Sequence, residues 1–330
     1  MAQAPRSIAS KTTAAWRSTL LQYAGLLLAL MLLVVAFSLK TNHFLSLTTL
    51  RTIVNQIPDA VLLSVGMTLV MIIGGIDLSV GSVMAFCGAV LGVCLVEWHW
   101  PLLPALAACL AMGLLCGGLN GLITVQWKLP SFIVTLGMLE VARGAAYWLT
   151  KSQTMYLGAA VERISAASFL GFSLPFAFAL VAVVVAQFAL TRTVWGRYAL
   201  AVGANEEAVR YAGINPRPLK VAAFALSGLL AACAAVLQSA RLSAADPNAG
   251  TGAELQAIAA CVIGGTSLLG GRGSVVNTFF GVLLIAVLGA GLAQLGAQEP
   301  TRRVVTGCVI LAAVILDVYR ARLATNGRAS

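Results

Sequence analysis

Apolar runs about twenty residues long recur along nearly the whole chain and leave no room for a separate soluble domain. A helix of ~20 apolar residues crosses the ~30 Å hydrocarbon layer of a bilayer. Of the 330 residues, 60% are hydrophobic and 10% charged, whereas an ordinary soluble domain is roughly a quarter charged. The strands of a membrane barrel would alternate apolar and polar residues in pieces of ~10, and no such alternation is present. The expected fold is therefore all-α: a polytopic transmembrane bundle of about ten helices.

The spans read from the apolar runs are 20–39, 58–74, 80–97, 101–125, 131–150, 171–190, 220–240, 255–269, 275–297 and 303–319. The eighth is short, and Gly74 and Gly75 close the second, so both suit broken or partly re-entrant segments. The first run is longer than the ~7–15 apolar residues of a secretory signal and lacks a small-residue cleavage site after it, so it reads as a retained span. The expected organisation is a cytoplasmic segment 1–19, a membrane domain 20–319 and a basic cytoplasmic tail 320–330.

The net charge of +10 raises nucleic-acid binding as a possibility. The basic residues sit at the ends of apolar runs and form no dense stripe, which suits orientation signals instead. Ten crossings with the amino terminus inside place thirteen basic residues within: Arg6, Lys11, Arg17, Lys128, Arg192, Arg197, Arg210, Arg217, Lys220, Arg272, Arg320, Arg322 and Arg328. Seven fall outside: Lys40, Arg51, Lys151, Arg163, Arg241, Arg302 and Arg303. The count favours cytoplasmic termini and a cytoplasmic loop 191–220. The seven cysteines lie in apolar segments with no CxxC and no neighbouring histidine, and read as small packing residues.

Against this background "LVMIIGGIDLSVGSVMAF", residues 69–86, stands out. An acidic side chain at the bilayer centre costs ~2.5–3.5 kcal/mol on insertion scales, so it faces the bundle interior, a watery path or a partner. Gly74, Gly75 and Gly81 flank Asp77, and glycine pairs break helices where protein or water satisfies the freed backbone. Ser79 is a candidate N-cap for a helix starting near Val80. Two readings stand together here: a capped, packed turn, and a position along a substrate path. In "AMGLLCGGLNGL", Gly113, Gly117 and Gly121 recur every four residues, the spacing that lets two helices approach closely in lipid. Asn120 beside them either bonds across helices or faces a pore. Glu140 and Arg143, three apart on the fifth span, share a face and are expected to pair.

Catalytic signatures are missing from the sequence. It contains no GxxxxGK[ST] phosphate loop, no HExxH and no GxSxG, so neither an enzyme nor a cofactor or metal site is expected. Any ATP that drives this chain is bound by another polypeptide. In the polar loop 191–220, Asn205 suits a helix cap, Glu206 and Glu207 its first turn, Arg210 its last, and Gly213 its left-handed close before Pro216. An internal echo relates "IGGIDLSVGSV" (73–83) to "IGGTSLLGGRGSV" (263–275), in which Gly264 and Gly265 match Gly74 and Gly75. It is compatible with the repeated halves of transporters and with coincidence in a glycine-rich chain.

Four motifs in order, "GGIDLSVGSV", "LPSFIVTLGMLEVARG", "WGRYALAVGANEEAVRYAGI" and "VIGGTSLLGGRGS", resemble the permease subunits of ATP-binding-cassette (ABC) importers for ribose and related sugars. The likeness runs from about residue 55 to 320, with loop 151–170 and the basic tail departing most. It implies a bacterial inner-membrane permease without ATPase activity of its own, paired with a second copy or a paralogue. It also implies a cytoplasmic ATPase with two nucleotide-binding domains and a periplasmic sugar-binding protein. The resemblance makes Gly203, Asn205, Glu206, Glu207, Arg210 and Gly213 the segment that seats in the ATPase. Asp77, Ser79 and Asn120 are expected near the substrate path, and Gly74, Gly75, Gly81, Gly264 and Gly265 as conformational necessities. The alternative is a secondary transporter coupled to protons or sodium through Asp77 or Glu140.

Overall fold

A computed structural model describes residues 8–41, 43–166, 168–169 and 172–326. The chain is built of helices in the order α1 (Ile8–Lys40), α2 (Leu47–Gln56), α3 (Pro58–Ile72), α4 (Val80–Gly92), α5 (Leu102–Gln126), α6 (Ser131–Thr150) and α7 (Ala159–Ala166). There follow α8 (Leu174–Arg192), α9 (Val194–Ala204), α10 (Glu206–Tyr211), α11 (Arg217–Leu242), α12 (Ala253–Ile263), α13 (Val275–Gln294) and α14 (Glu299–Asn326). A π-helical turn, Val93–Glu97, extends α4. Two-residue strands add little: Met155–Tyr156 pairs antiparallel with Ala244–Ala245, and Ser168–Phe169 with Phe172–Ser173.

Among the described residues, six helices are long and apolar enough to cross a bilayer: Val80–Glu97, Leu102–Gln126, Ser131–Thr150, Leu174–Arg192, Arg217–Leu242 and Val275–Gln294. A seventh crossing is possible if α2 and α3, which meet at 46°, act as one bent span. This departs from the ten runs read above. The run 58–74 ends at Ile72, and the run 255–269 ends at Ile263 after eleven residues, about 17 Å at 1.5 Å per residue. Hydropathy extends a span through apolar turn residues that the backbone has already left. It also misses α2, whose Thr, Arg, Asn and Gln dilute an amphipathic pattern.

α3 is the axis of the bundle. Fourteen of its fifteen residues are buried, and α8, α11, α12 and α13 pack around it. α11 lies between α3 and α5, and its contact with α5 has a local cause in the glycine stripe. A β-carbon on Gly113 would stand 2.4 Å from the Gly228 carbonyl oxygen, and one on Gly117 would stand 2.2 Å from that of Phe224. The two backbones touch, as small-residue stripes permit where dispersion replaces the hydrophobic drive. By contrast α6 exposes Phe132, Ile133, Leu136, Val141 and Trp148, apolar surface suited to lipid or to another chain.

Candidate functional site

The break between α3 and α4 has a definite construction. α3 closes with paired backbone bonds, Gly74 N–H to Met71 O (2.9 Å) and Gly75 N–H to Val70 O (2.9 Å), with Gly74 at φ +79°. This is a Schellman close, which calls for a left-handed residue and hence glycine. The extended chain that follows carries backbone groups needing partners in a dry interior. α6 supplies them. Ser131 Oγ accepts the Ile76 N–H (2.9 Å), while Thr135 Oγ1 accepts the Leu78 N–H (3.0 Å) and lies 3.1 Å from Ile76 O.

Asp77 is 1% exposed. Its Oδ1 accepts both the backbone N–H (3.0 Å) and the hydroxyl (2.6 Å) of Ser79, and its Oδ2 accepts the Ser227 hydroxyl from α11 (2.9 Å). Asn120 Nδ2 of α5 donates to Ser79 Oγ (2.9 Å), leaving Asn120 Oδ1 buried without a partner among the described residues. The three residues expected near a path are thus brought together, and the network ties the break to α5 and α11. Ser79 holds the N-cap position of α4, yet its side chain makes no cap bond. The short Asp77 turn captures its hydroxyl first. Asn120 bonds across helices, the first of its two readings.

The expected pair of Glu140 and Arg143 is not formed. Arg143 Nη1 donates to the carbonyls of Pro247 (2.7 Å) and Ala249 (2.8 Å) in the α11–α12 loop, and Glu140 is exposed. Two fixed backbone acceptors at close range outcompete a carboxylate left to solvent. Gly81 lies under the same loop, where a β-carbon would meet Gly250 O at 2.3 Å.

The two glycine pairs each lie at a helix close, in registers that differ by one residue. α12 closes as α3 does, with Gly265 N–H to Val262 O (2.8 Å) and Thr266 N–H to Cys261 O (2.9 Å). The left-handed residue is Gly265 at φ +80°, while Gly264 stays right-handed. Gly265 therefore corresponds to Gly74, and Thr266 to Gly75. The closing GSV also differs: Ser274 caps α13, whereas Ser82 lies inside α4.

The polar segment 193–217 folds as its punctuation directs. Thr193 caps α9 through Gly196 N–H (3.2 Å), and Asn205 caps α10 through Ala208 N–H (2.9 Å). Gly213 (φ +81°) closes α10 with Ile214 N–H to Val209 O (3.2 Å). Glu206 forms ion pairs with Lys220 of α11 and with Arg210 (3.8 Å). Val209 is buried, while Glu207, Arg210 and Tyr211 are exposed. The C-terminal end of α9 meets that of α3, and Gly271 N–H donates to Ile72 O (2.9 Å) at the same point. A β-carbon on Gly203 would overlap that carbonyl. Ala204 and Asn205 alone separate Gly203 from α10.

A match to the family described as "Branched-chain amino acid transport system / permease component" spans residues 49–314. The chain belongs to this permease family. It is 38% identical over 297 residues to the ribose import permease protein RbsC of Escherichia coli (strain K12), covering 88% of this chain and 92% of that one. It is 33% identical over 310 residues to the fructose import permease protein FrcC of Rhizobium meliloti (90% and 86%). Identity to the L-arabinose ABC transporter permease protein AraH of Azospirillum brasilense is 33% over 304 residues (91% and 89%). No solved structure matches. The protein is a multi-pass membrane permease of the sugar ABC-importer kind, and this family membership does not favour the secondary-transporter alternative. Ser131, Thr135 and Ser227 escaped the sequence reading. The i, i+4 hydroxyls of "SFIVT" were the available signal.

Proposed function

We propose that this chain is the membrane-spanning subunit of an ABC importer that carries a monosaccharide or small sugar-like solute inward. The carrying observation is its similarity, over about nine-tenths of its length, to import permeases for ribose, fructose and L-arabinose. The family description speaks of branched-chain amino acids; the relatives favour sugars. The ATPase, with two nucleotide-binding domains, grips α10 from the cytoplasm, and a periplasmic binding protein delivers cargo to the opposite face. Two permease chains pair, and exposed apolar flanks such as that of α6 suit the partner or lipid.

In this reading both termini are cytoplasmic, with α1, α12 and α14 completing a ten-segment topology. α10 transmits ATPase closure through Gly203 to the end of α3. The Gly74–Ser79 joint, latched by Asp77, Ser79, Asn120 and Ser227, then opens and closes the path. The test is uptake into proteoliposomes holding the permease, its ATPase and its binding protein, with ribose, fructose and arabinose offered in turn. Uptake that needs ATP supports the reading. Uptake that persists on a proton or sodium gradient without ATP removes it.

A further inference from the structure

At the Pro58 end of α3, opposite the Gly74 break, lies a cavity of about 220 Å³. It sits among the α2–α3 corner, the start of α8 and the last turns of α11. Asn55, Asp59, Ser173 and Arg241 line it with polar groups, and Pro175 and Leu237 with apolar ones. Asp59 is 9% exposed. Its Oδ2 accepts from Arg241 Nη2 (2.9 Å), and Gln238 Nε2 stands 3.4 Å away. Among the described residues its Oδ1 has no partner, and neither has the buried Ser173 Oγ.

A buried oxygen without a hydrogen bond costs about 1–3 kcal/mol, and two residues that line the cavity each carry one that reorientation toward an occupant would satisfy. Pairing of Asp59 with Arg241 cancels the formal charge, which disfavours an ion of either sign. Arg241 also uses one of the five N–H donors of a guanidinium. Donors, acceptors and an apolar wall around a charge-neutral space match a molecule with hydroxyls on one side and C–H on the other. The volume is below the ~300–1,000 Å³ of sites for drug-sized ligands. We propose that this cavity is a binding site for one neutral monosaccharide, held at the end of α3 where cargo enters. The ligand class rests on the proposed function; the site rests on the geometry.

The probes are D-ribose, D-fructose and L-arabinose, titrated into the full-length permease in lipid nanodiscs and followed by saturation-transfer NMR, with glycerol as control. At least one sugar should bind. Ser173→Ala should weaken it about fivefold, as for one lost hydrogen bond, and Leu237→Trp, which fills the space, should abolish it. Thermal unfolding of each variant checks that the fold survives, and Asn55→Ala, at an exposed wall position, serves if Leu237→Trp does not fold. Binding unchanged in both Ser173→Ala and Asn55→Ala overturns the site, and so does the absence of sugar binding to folded wild type. ATP-driven uptake at the wild-type rate with the cavity filled also overturns it, leaving the proposed function standing. Sugar binding here without any ATP-dependent uptake does the reverse.

Discussion

A β-carbon on Gly203 would stand 1.8 Å from the carbonyl oxygen of Ile72, so the ends of α9 and α3 meet backbone to backbone. Nothing larger than hydrogen fits between them, and Gly271 N lies 2.4 Å from the same point. A displacement of α10 that carried α9 with it would bear on the last turn of α3 without a flexible side chain between. Gly203→Ala should force these elements apart, with a destabilisation of at least the ~1–3 kcal/mol typical of overpacking. We expect the ATPase subunit to co-purify with this variant and sugar uptake to be lost. Normal uptake would show that motion reaches the bundle by another route.

Asp77 accepts three hydrogen bonds and, among the described residues, forms no ion pair. Asp77→Asn keeps an acceptor for Ser79 N–H, and Ser227 can reverse its bond to accept from the new amide. Asp77→Ala leaves the Ser79 N–H and the Ser79 and Ser227 hydroxyl protons without their acceptor, each at about 1–3 kcal/mol. The order of stability should be wild type, then Asn, then Ala, measured by thermal unfolding in nanodiscs. If the latch is structural, Asp77→Asn should retain much of the ATP-driven uptake. A carrier that used this carboxylate for protons would lose all of it.

Thr135 satisfies a backbone donor of the break and sits beside a backbone acceptor. Thr135→Val has the same shape without the hydroxyl, and should cost about 1 kcal/mol, the low end of the usual range, by leaving the half-buried Leu78 N–H unpaired. Thr135→Ser should recover most of that loss. Hydrogen exchange at residues 76–79 is the direct readout, with faster exchange expected only in the valine variant. Equal protection in both would remove α6 from the support of the break.

These residues also mark what was legible beforehand. The Gly74 turn, the Gly113–Gly117–Gly121 stripe and the caps of α10 are local chemistry, set by residues within one or two turns of each other. Ser131, Thr135 and Ser227 act on a segment more than fifty residues away in sequence, and an unremarkable serine in a helix gives no sign of its target. Arg143 misled for the same reason. Its near neighbour Glu140 was visible in the sequence, and the carbonyls of Pro247 and Ala249 were not. The shifted echo has another origin: the sequence aligns identical letters, while the left-handed position depends on where each helix stops. α3 stops at Ile72 and α12 at Ile263, one residue later relative to their glycine pairs.

Glu206 and Glu207 are adjacent and equally charged, yet they have different tasks. Glu206 reaches Lys220 and Arg210 and holds α10 against the start of α11, while Glu207 is exposed beside Tyr211. Ion pairs that are partly exposed contribute little on average, about 0–1 kcal/mol. Reversal of the charge is harsher, because Glu206→Lys places a third cation between Lys220 and Arg210. That variant should raise hydrogen exchange across residues 205–214 and loosen the segment itself. Glu207→Lys should leave exchange unchanged and weaken capture of the ATPase subunit, with the permease still in the membrane. Were Glu206→Lys to leave exchange untouched, or Glu207→Lys to leave capture untouched, the division of labour between them would fail. Arg210→Ala supplies the control, since it removes the longer of the two Glu206 contacts and should change exchange less than Glu206→Lys.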